Sequence, residues 1–315
     1  MMSWSHALVT GGAGFIGSHL TRALLAEGRR VTVLDNLSVG RHDVVPDGAR
    51  FVHGDVRDEA AVADALSGVD CVFHLAAQVT IRGSFDRFHE DLDTNVMGTA
   101  RLLRAMDRGQ VKWFTLASSM AIYADADSPA PIDESHPKRP LSPYGVGKLA
   151  AEDVSHQVLG ARGIPFTAVR YFNTFGPGQT YTPYVGVLTI FITRLLSGES
   201  ITIYGNGEQQ RDFIHVSDIV AGTKAAPGRT PGRYNLGTGR GTSLNELAAM
   251  VLDRLAPGQR PEYASAPGGE LRFSVANIEA ARRELGFAPS RSLAADLDEV
   301  IAAVTKTVAP RPAQA

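Results

Sequence analysis

The first 120 residues alternate short apolar, β-branched runs with longer stretches in which apolar residues recur every three or four positions. The runs predict strands and the longer stretches predict amphipathic helices. Predicted strands cover residues 6–10, 30–35, 50–53, 70–75 and 111–117, and predicted helices cover residues 16–27, 60–66 and 91–108. Strands alternating with helices are typical of βαβ units, so the sequence predicts an α/β fold of the Rossmann type with a doubly wound parallel sheet.

The sequence pattern changes after Gly176. Before it, a helix over 142–159 and a strand over 166–171 extend the α/β pattern; after it, glycine and proline cluster and helices are predicted at 187–198, 243–255 and 278–285. We therefore expect a sheet domain over 1–176 and a smaller, mainly substrate-binding lobe over 177–315. This lobe need not be contiguous, because 201–204 and 234–237 are candidates for strands that return to the sheet.

Composition excludes several classes of function. The 315 residues carry a net charge of −2, so there is no basic excess of the kind that nucleic acid selects. No apolar run reaches the ~18 residues that a membrane span needs. The nine histidines are scattered, which argues against a metal site, and the single cysteine, Cys71, fits a reducing cytoplasm.

A glycine motif follows the first predicted strand. Gly11, Gly14 and Gly17 are spaced for a tight turn, close approach to a pyrophosphate and packing of a helix on a strand, and Phe15 and Ile16 open that helix. The second strand ends in Asp35-Asn36, and Asp35 follows Gly17 by 18 residues. A carboxylate at about this distance binds the adenosine ribose and repels a 2′-phosphate, so we predict NAD rather than NADP.

A second motif supplies candidate acid–base chemistry. Tyr144 and Lys148 are four residues apart on a predicted helix and share one of its faces. An ammonium group and a positive nicotinamide ring would lower the pKa of the phenol, which could then take a proton from a sugar hydroxyl. Ser119 stands at the end of a predicted strand, where a hydroxyl would meet substrate.

Together these motifs resemble the sugar-nucleotide epimerase/dehydratase group of the extended short-chain dehydrogenase/reductases, and most closely its 4-epimerases. The resemblance covers about residues 5–290 and rests on motifs in the group's order. These are Gly11–Gly17, Gly54-Asp55, His74–Ala77, Asn95, Ser118-Ser119, Tyr144–Lys148, Arg170–Asn173, Arg211–Phe213 and Glu270–Arg272.

The resemblance implies NAD as a bound cofactor, a nucleotide sugar (UDP-sugar above all) as substrate and a transient 4-keto intermediate. It implies a homodimer formed by helices at 91–108 and 144–159. Catalysis would fall to Ser119, Tyr144 and Lys148. Further cofactor contacts would come from Asp55 and Val56 near the adenine, from Leu75, Ala76 and Ala77, and from Asn95, and substrate contacts from Ser119, Met120, Asn173, Val187, Arg211 and Arg272.

Two positions bear on the reaction and the substrate. Dehydratases of the group usually place acids directly after the catalytic hydroxyl, whereas this chain has Met120 and Ala121, which cannot transfer a proton. Epimerisation is therefore favoured over dehydration. The diphosphate-binding arginine that the epimerases carry near Pro267 is missing, because no arginine lies between Arg260 and Arg272. Another sugar-nucleotide oxidoreductase, decarboxylase or dehydratase, or an NAD-binding sensor without catalysis, remain as alternatives.

Overall fold

The computed structural model describes residues 4–106, 110–179, 186–265 and 271–307. Its strands are β1 (His6–Thr10), β2 (Arg30–Asp35), β3 (Arg50–His53), β4 (Cys71–His74), β5 (Trp113–Ser119), β6 (Phe166–Tyr171), β7 (Asn173–Phe175), β8 (Thr202–Tyr204), β9 (Gln210–His215), β10 (Gly232–Leu236), β11 (Gly241–Ser243), β12 (Glu262–Ala264) and β13 (Phe273–Ser274).

The helices of the same residues are α1 (Phe15–Ala26), α2 (Glu59–Ala65), α3 (Gly83–Asp86), α4 (Phe88–Leu92), α5 (Thr99–Ala105), α6 (Pro143–Arg162), α7 (Val187–Leu196), α8 (Val216–Ala225), α9 (Leu244–Leu255), α10 (Glu279–Leu285) and α11 (Leu293–Thr307). Each predicted helix begins within three residues of the prediction, whereas α3, α8 and α11 were not predicted. Short 3₁₀ turns cover His42–Val44 and Met120–Ile122, and a π-helical segment, Asp93–Gly98, joins α4 to α5.

Seven parallel strands form the central sheet in the order β10-β6-β5-β4-β1-β2-β3. The strand order reverses between β1 and β4, which is where a doubly wound sheet opens a crevice at its carboxyl edge. The predicted Rossmann-type fold is confirmed. The prediction for 234–237 is also confirmed, since β10 pairs with β6 at the edge of this sheet.

Both faces of the sheet are buried, so its strands are apolar at consecutive positions rather than alternating ones. In β1, Leu8 packs into a cluster with α2, α5 and α6, whereas Val9 packs into a cluster with α1 and α8. Cys71 belongs to the second cluster and is fully buried. Helices therefore pack on both faces of the sheet, and the carboxyl edge between them is where the site lies.

A smaller assembly packs beside this edge. β9 pairs with β7 and β13 in parallel and with β11 antiparallel, and β8 pairs with β12. Residues 201–204 therefore do not return to the central sheet, which corrects that part of the prediction. The core of the smaller assembly contains side chains of α7, α9 and α11, among which Phe191, Leu247 and Leu297 are fully buried.

Two kinds of feature do not occur within the part of the chain that the structure describes. No helix there combines the length and apolar character that crossing a bilayer requires. No group of three or more His, Cys, Asp or Glu side chains there is placed to hold a metal ion.

An ion pair lies fully buried under the carboxyl edge. The guanidinium of Arg170 in β6 donates to both carboxylate oxygens of Glu152 in α6, at 3.0 and 2.8 Å, and both side chains are 0% exposed. Ser118 in β5 donates to the same carboxylate, and Arg170 also donates to Oη of Tyr123 at 2.7 Å. The network ties α6 to two central strands.

Replacing Glu152 by Ala should destabilise the protein strongly, because it leaves the charge of Arg170 buried and without its carboxylate. The expected loss is about 3–5 kcal/mol, measured as a shift of the denaturant midpoint. Asp298→Ala is the matched control: it breaks the pair with Arg254, but Asp298 is 78% exposed, so its effect should stay within about 1 kcal/mol. Equal shifts for the two variants would contradict the role of the buried network.

Candidate active site

A cavity of about 630 Å³ runs along the carboxyl edge of the sheet, between the central sheet and the smaller assembly. Most of the predicted site residues line it. They are Gly11, Gly14, Phe15, Ile16, Gly17, Asp35, Asn36, Asp55, Val56, Leu75, Ala76, Ala77, Ser119, Met120, Tyr144, Lys148 and Asn173.

The glycine turn is packed too closely for side chains. Gly11 has a φ of +69°, and a Cβ there would lie 2.8 Å from the backbone nitrogen of Ala76. A Cβ on Gly17 would lie 2.1 Å from the Gly11 carbonyl oxygen. The turn thus lets α1 begin directly at the cavity, where its first amides and its dipole favour a phosphate group.

Carboxylates mark the far end of the cavity. Asp35 accepts hydrogen bonds from the backbone nitrogens of Ala13 (3.0 Å) and Leu37 (2.8 Å), so its position is fixed by the glycine turn and by the loop after β2. Asn36 donates to Asp55 at 2.8 Å. Arg57, bonded to the same carboxylate, lowers the pKa of Asp55 to about 2.

A buried polar chain holds the loop after β4. The backbone nitrogens of Leu75 and Ala76 each donate to Oγ1 of Thr10 at 3.1 Å, and that hydroxyl contacts Nδ1 of His74 at 2.7 Å. On the other side of the ring, Nε2 contacts the Thr99 hydroxyl at 2.9 Å, and this hydroxyl donates to the Asn95 carbonyl. Burial lowers the pKa of His74 to about 3, so the ring is neutral, with its proton on Nε2.

Asn95 does not line the cavity itself. Its side chain accepts from the backbone nitrogen of Gln78 at 2.9 Å and donates to the Gln78 carbonyl at 3.1 Å, which clamps the loop that forms the cavity wall. It also donates to Asp91 at 3.0 Å. Asn95 therefore supports the loop that lines the cavity and does not line the cavity itself.

The predicted catalytic side chains come together where β5 and α6 meet. Ser119 ends β5, and α6 begins one residue before Tyr144, with Ser142 capping it and Pro143 in its first turn. A Cβ on Gly145 would lie 2.2 Å from the Ala121 carbonyl oxygen, so glycine lets the helix touch the strand end. The Ser119 hydroxyl lies close enough to Tyr144 to favour its phenolate form.

Burial dominates the ionisation of this pair of helix residues. Burial raises the pKa of Tyr144 to about 12, although the neighbouring Ser119 hydroxyl works in the opposite direction. It lowers the pKa of Lys148 to about 8. Burial is therefore the largest influence on the pKa of Tyr144 in the protein without its cofactor, and the expectation that the ammonium and the nicotinamide ring together lower this pKa stays a prediction for the NAD-loaded protein.

Sequence reasoning missed three residues that organise this region. Ser84 accepts a hydrogen bond from the backbone nitrogen of Tyr144 at 3.1 Å, and Thr10 and His74 hold the opposite wall. His74 belongs to a motif that carried the resemblance, so the signal was present. Ser84 offered no comparable spacing, since its partner lies 60 positions away.

The predicted substrate residues separate into two groups. Met120 and Asn173 line the cavity, and the Asn173 side-chain oxygen is buried without a hydrogen-bond partner among the described residues. Val187, Arg211 and Arg272 lie outside the cavity wall. Arg211 donates to the carbonyls of Gln210 and Arg272, and Arg272 pairs with Asp125 at 2.8 Å.

Comparisons with known proteins bear on the family to which this chain belongs. A model of the NAD dependent epimerase/dehydratase family matches residues 7–237. The chain is 34% identical to the UDP-glucose 4-epimerase of Mycolicibacterium smegmatis, over 93% of this chain and 96% of that protein. The Thermotoga maritima UDP-glucose 4-epimerase structure with UDP-glucose superposes with a TM-score of 0.91 at 34% identity, covering 96% of this chain and 99% of the other.

A second solved structure bears on the cofactor. The Thermus thermophilus UDP-glucose 4-epimerase in complex with NAD superposes with a TM-score of 0.89 at 33% identity, covering 96% of this chain and all of the other. Each match extends over nearly the whole of both chains. By sequence, fold and site, this chain belongs to the NAD-dependent epimerase/dehydratase family.

Proposed function

We propose that this protein interconverts the C4 epimers of a nucleotide-diphosphate hexose, with a UDP-hexose of the glucose/galactose type as substrate. The observation that carries the proposal is that Ser119, Tyr144 and Lys148 line the same cavity. The two residues directly after Ser119 are Met120 and Ala121, neither of which can transfer a proton. The UDP-sugar complex of the Thermotoga relative supports the substrate class.

NAD is the cofactor of this family, and the cavity fits it. A Cβ at Gly11 or Gly17 would clash with the backbone of Ala76 or Gly11, so glycine at both positions keeps the turn tight and lets the first amides of α1 face the cavity, where a pyrophosphate can bind. The Lys148 ammonium lines the cavity and forms no ion pair within 4 Å among the described residues, so it is free to bind ribose hydroxyls. We assign the adenosine end to Asp35, Asn36, Asp55 and Val56, and the nicotinamide end to Tyr144 and Lys148.

The proton chemistry follows from the same side chains. When bound, NAD supplies the hydride acceptor and donor that such a reaction needs. Tyr144 takes the proton of the C4 hydroxyl and later returns it, while the Ser119 hydroxyl orients both oxygens. Lys148 supplies the positive charge that favours the phenolate. Rotation of the 4-keto sugar in the cavity would present its other face to the cofactor, and Tyr144 would then return the proton to the C4 oxygen.

Dehydration lacks its acid and base in this cavity. The acidic residues that line it, among those that the structure describes, are Asp35 and Asp55, and both lie at the adenosine end. Beside Ser119 stands Met120, which has no proton to give. The sugar end can therefore return a proton to one oxygen but cannot remove a C5 proton and expel the C6 hydroxyl.

We assign NAD binding to residues 1–176 and mainly substrate binding to residues 177–315. Both parts of the chain line the cavity, the first with Asn173 among others and the second with Phe213 among others. The unpartnered oxygen of Asn173 is suited to accept from a sugar hydroxyl. The single, buried Cys71 supports a cytoplasmic location.

We also propose a homodimer. α4 and α6 pack side by side, and Phe88 of α4, Leu141 in the segment before α6 and Val146 of α6 are 53, 40 and 48% exposed. Exposed apolar side chains that cluster on one surface are typical of a protein–protein contact. A second copy with the same pair of helices would complete a four-helix bundle.

Replacing Tyr144 by Phe should lower kcat by orders of magnitude, because the base is removed while the ring remains. NAD binding should persist. Epimer formation from a UDP-hexose is followed by NMR, and bound NAD is measured in the same preparation. The control is Tyr263→Phe, which removes an exposed hydroxyl bonded to Asn245 and should leave kcat unchanged. Near-native turnover by Tyr144→Phe would eliminate Tyr144 as the base.

The Asp35 carboxylate should make the protein prefer NAD over NADP, since it repels a 2′-phosphate. Titration of each cofactor into cofactor-free protein should give a lower Kd for NAD. Asp35→Asn keeps the shape and one acceptor oxygen but removes the charge, so the ratio of the two Kd values should move toward one. Tighter binding of NADP by the unchanged protein would contradict this assignment.

Placing a charge on the apolar surface should dissociate the dimer. Val146→Asp buries a carboxylate in the proposed contact, so sedimentation velocity should show a monomer where the unchanged protein shows a dimer. Tyr263→Asp, a charge introduced at a 57% exposed aromatic elsewhere, should leave the mass unchanged. A monomeric unchanged protein would rule out the dimer.

A further inference from the structure

A buried carboxylate with no role in the proposed chemistry lies against the catalytic helix. Asp91, in α4, is 2% exposed. Its Oδ1 accepts the hydrogen bond from Asn95, whereas its Oδ2 is buried and has no hydrogen-bond partner among the described residues. The α6 residue that faces it is Gly147, where a Cβ would lie 3.2 Å from Oδ1 of Asp91. Glycine thus leaves room for the carboxylate beside the Tyr144–Lys148 turn.

A buried carboxylate oxygen without a partner is costly unless positive charge is nearby. The positive charge that acts on Asp91 is Lys148, the residue after Gly147. The two groups form no ion pair within 4 Å, so Asp91 acts on Lys148 through space. The Lys148 ammonium therefore still faces the cavity.

The other charged or titratable groups around Lys148 do not replace Asp91. Glu152 is one turn further along α6, but its carboxylate is bound by Arg170 and Ser118. His74 faces Lys148 from β4 and is neutral. Tyr144 lies on the same face of α6 and also feels the charge of Asp91.

We propose that Asp91 is a positioning residue for the reaction: its negative charge, held behind α6 by Asn95, keeps Lys148 protonated while leaving the ammonium free to face the cavity. The inference rests on the proposed function, since it assigns Lys148 its charged role beside Tyr144. Asp91 touches neither cavity nor substrate and works through Lys148.

Two consequences follow for the dependence of turnover on pH. Turnover needs Tyr144 able to lose its proton and Lys148 able to keep one, so the acid limb belongs to Tyr144 and the alkaline limb to Lys148. Burial raises the pKa of Asp91 itself to about 6, so it is charged above that pH, and there its charge raises the pKa of both groups. Removing that charge should therefore move both limbs to lower pH.

The test is Asp91→Asn in the NAD-loaded protein, because asparagine keeps the shape and an acceptor for Asn95. One readout is the pH profile of kcat with a UDP-hexose. The other is the pH titration of phenolate absorbance, taken as the difference from the Tyr144→Phe protein, which needs no turnover. Both limbs of the profile and the phenolate midpoint should fall by ~1 pH unit.

Two variants separate charge from structure. Glu90→Gln removes the same charge from the neighbouring residue of α4, whose side chain is 48% exposed, and should leave the midpoints in place. Asp91→Glu keeps the charge and should retain them even if kcat falls. Unshifted midpoints in Asp91→Asn, or an equal shift in Glu90→Gln, would overturn the proposal.

Folding defects and failure of the proposed function remain distinguishable. Should Asp91→Asn not fold, Asp91→Ser removes the same charge with a smaller polar side chain, and the same downward shift is expected; no shift would overturn the proposal. Should no UDP-hexose be epimerised, the phenolate titration still decides the effect of Asp91, and the absent turnover counts against the proposed function alone.

Discussion

The close approach of α6 to the end of β5 is the constraint on which the site depends. Ser142 caps the helix, Pro143 starts it, and Gly145 lets its backbone touch the Ala121 carbonyl. This contact places Tyr144 and Lys148 where water is excluded, and their shifted ionisation follows from that exclusion. A helix one residue out of register would point the same side chains away from the cavity, so the stability of α6 and the chemistry of the site are inseparable.

Buried polar groups hold that register from both sides. Glu152 of α6 binds Arg170 and Ser118 of the sheet, while Asn95 holds both Asp91, which lies against α6, and the Gln78 loop. Apolar packing tolerates small slips, whereas hydrogen-bonded networks in a low-dielectric interior do not. The site therefore combines an apolar core, which supplies the free energy of folding, with a few polar contacts that select one geometry.

Sequence predicted those parts of the fold that depend on local signals. The strands at 6–10, 30–35, 50–53 and 166–171 have the predicted bounds, because buried parallel strands are apolar runs ended by turn residues. The helix predicted over 91–108 is instead interrupted by the π-helical segment, which turns Asn95 toward the Gln78 loop. No spacing rule signals such a segment.

Other features could not be predicted from the sequence because they depend on contacts between residues far apart in the chain. α8 was not predicted, since it follows β9 without a turn and His215 both ends the strand and caps the helix. The pairing of β8 with β12 rather than with the central sheet cannot be inferred from three residues. Arg211 and Arg272 carry suggestive spacing, yet neighbouring carbonyls and Asp125 determine where their guanidinium groups lie.

The opposed pKa shifts of Tyr144 and Lys148 determine when the site can act. Raising the pKa of Tyr144 from 10.0 to about 12 corresponds to ~3 kcal/mol against the phenolate. A single ammonium whose own pKa has fallen to about 8 does not supply that energy. In the proposed mechanism the oxidised nicotinamide ring would supply a further positive charge beside the phenol. The phenolate form of Tyr144, which can accept the proton, would then be favoured with the oxidised cofactor bound and disfavoured once that charge is lost.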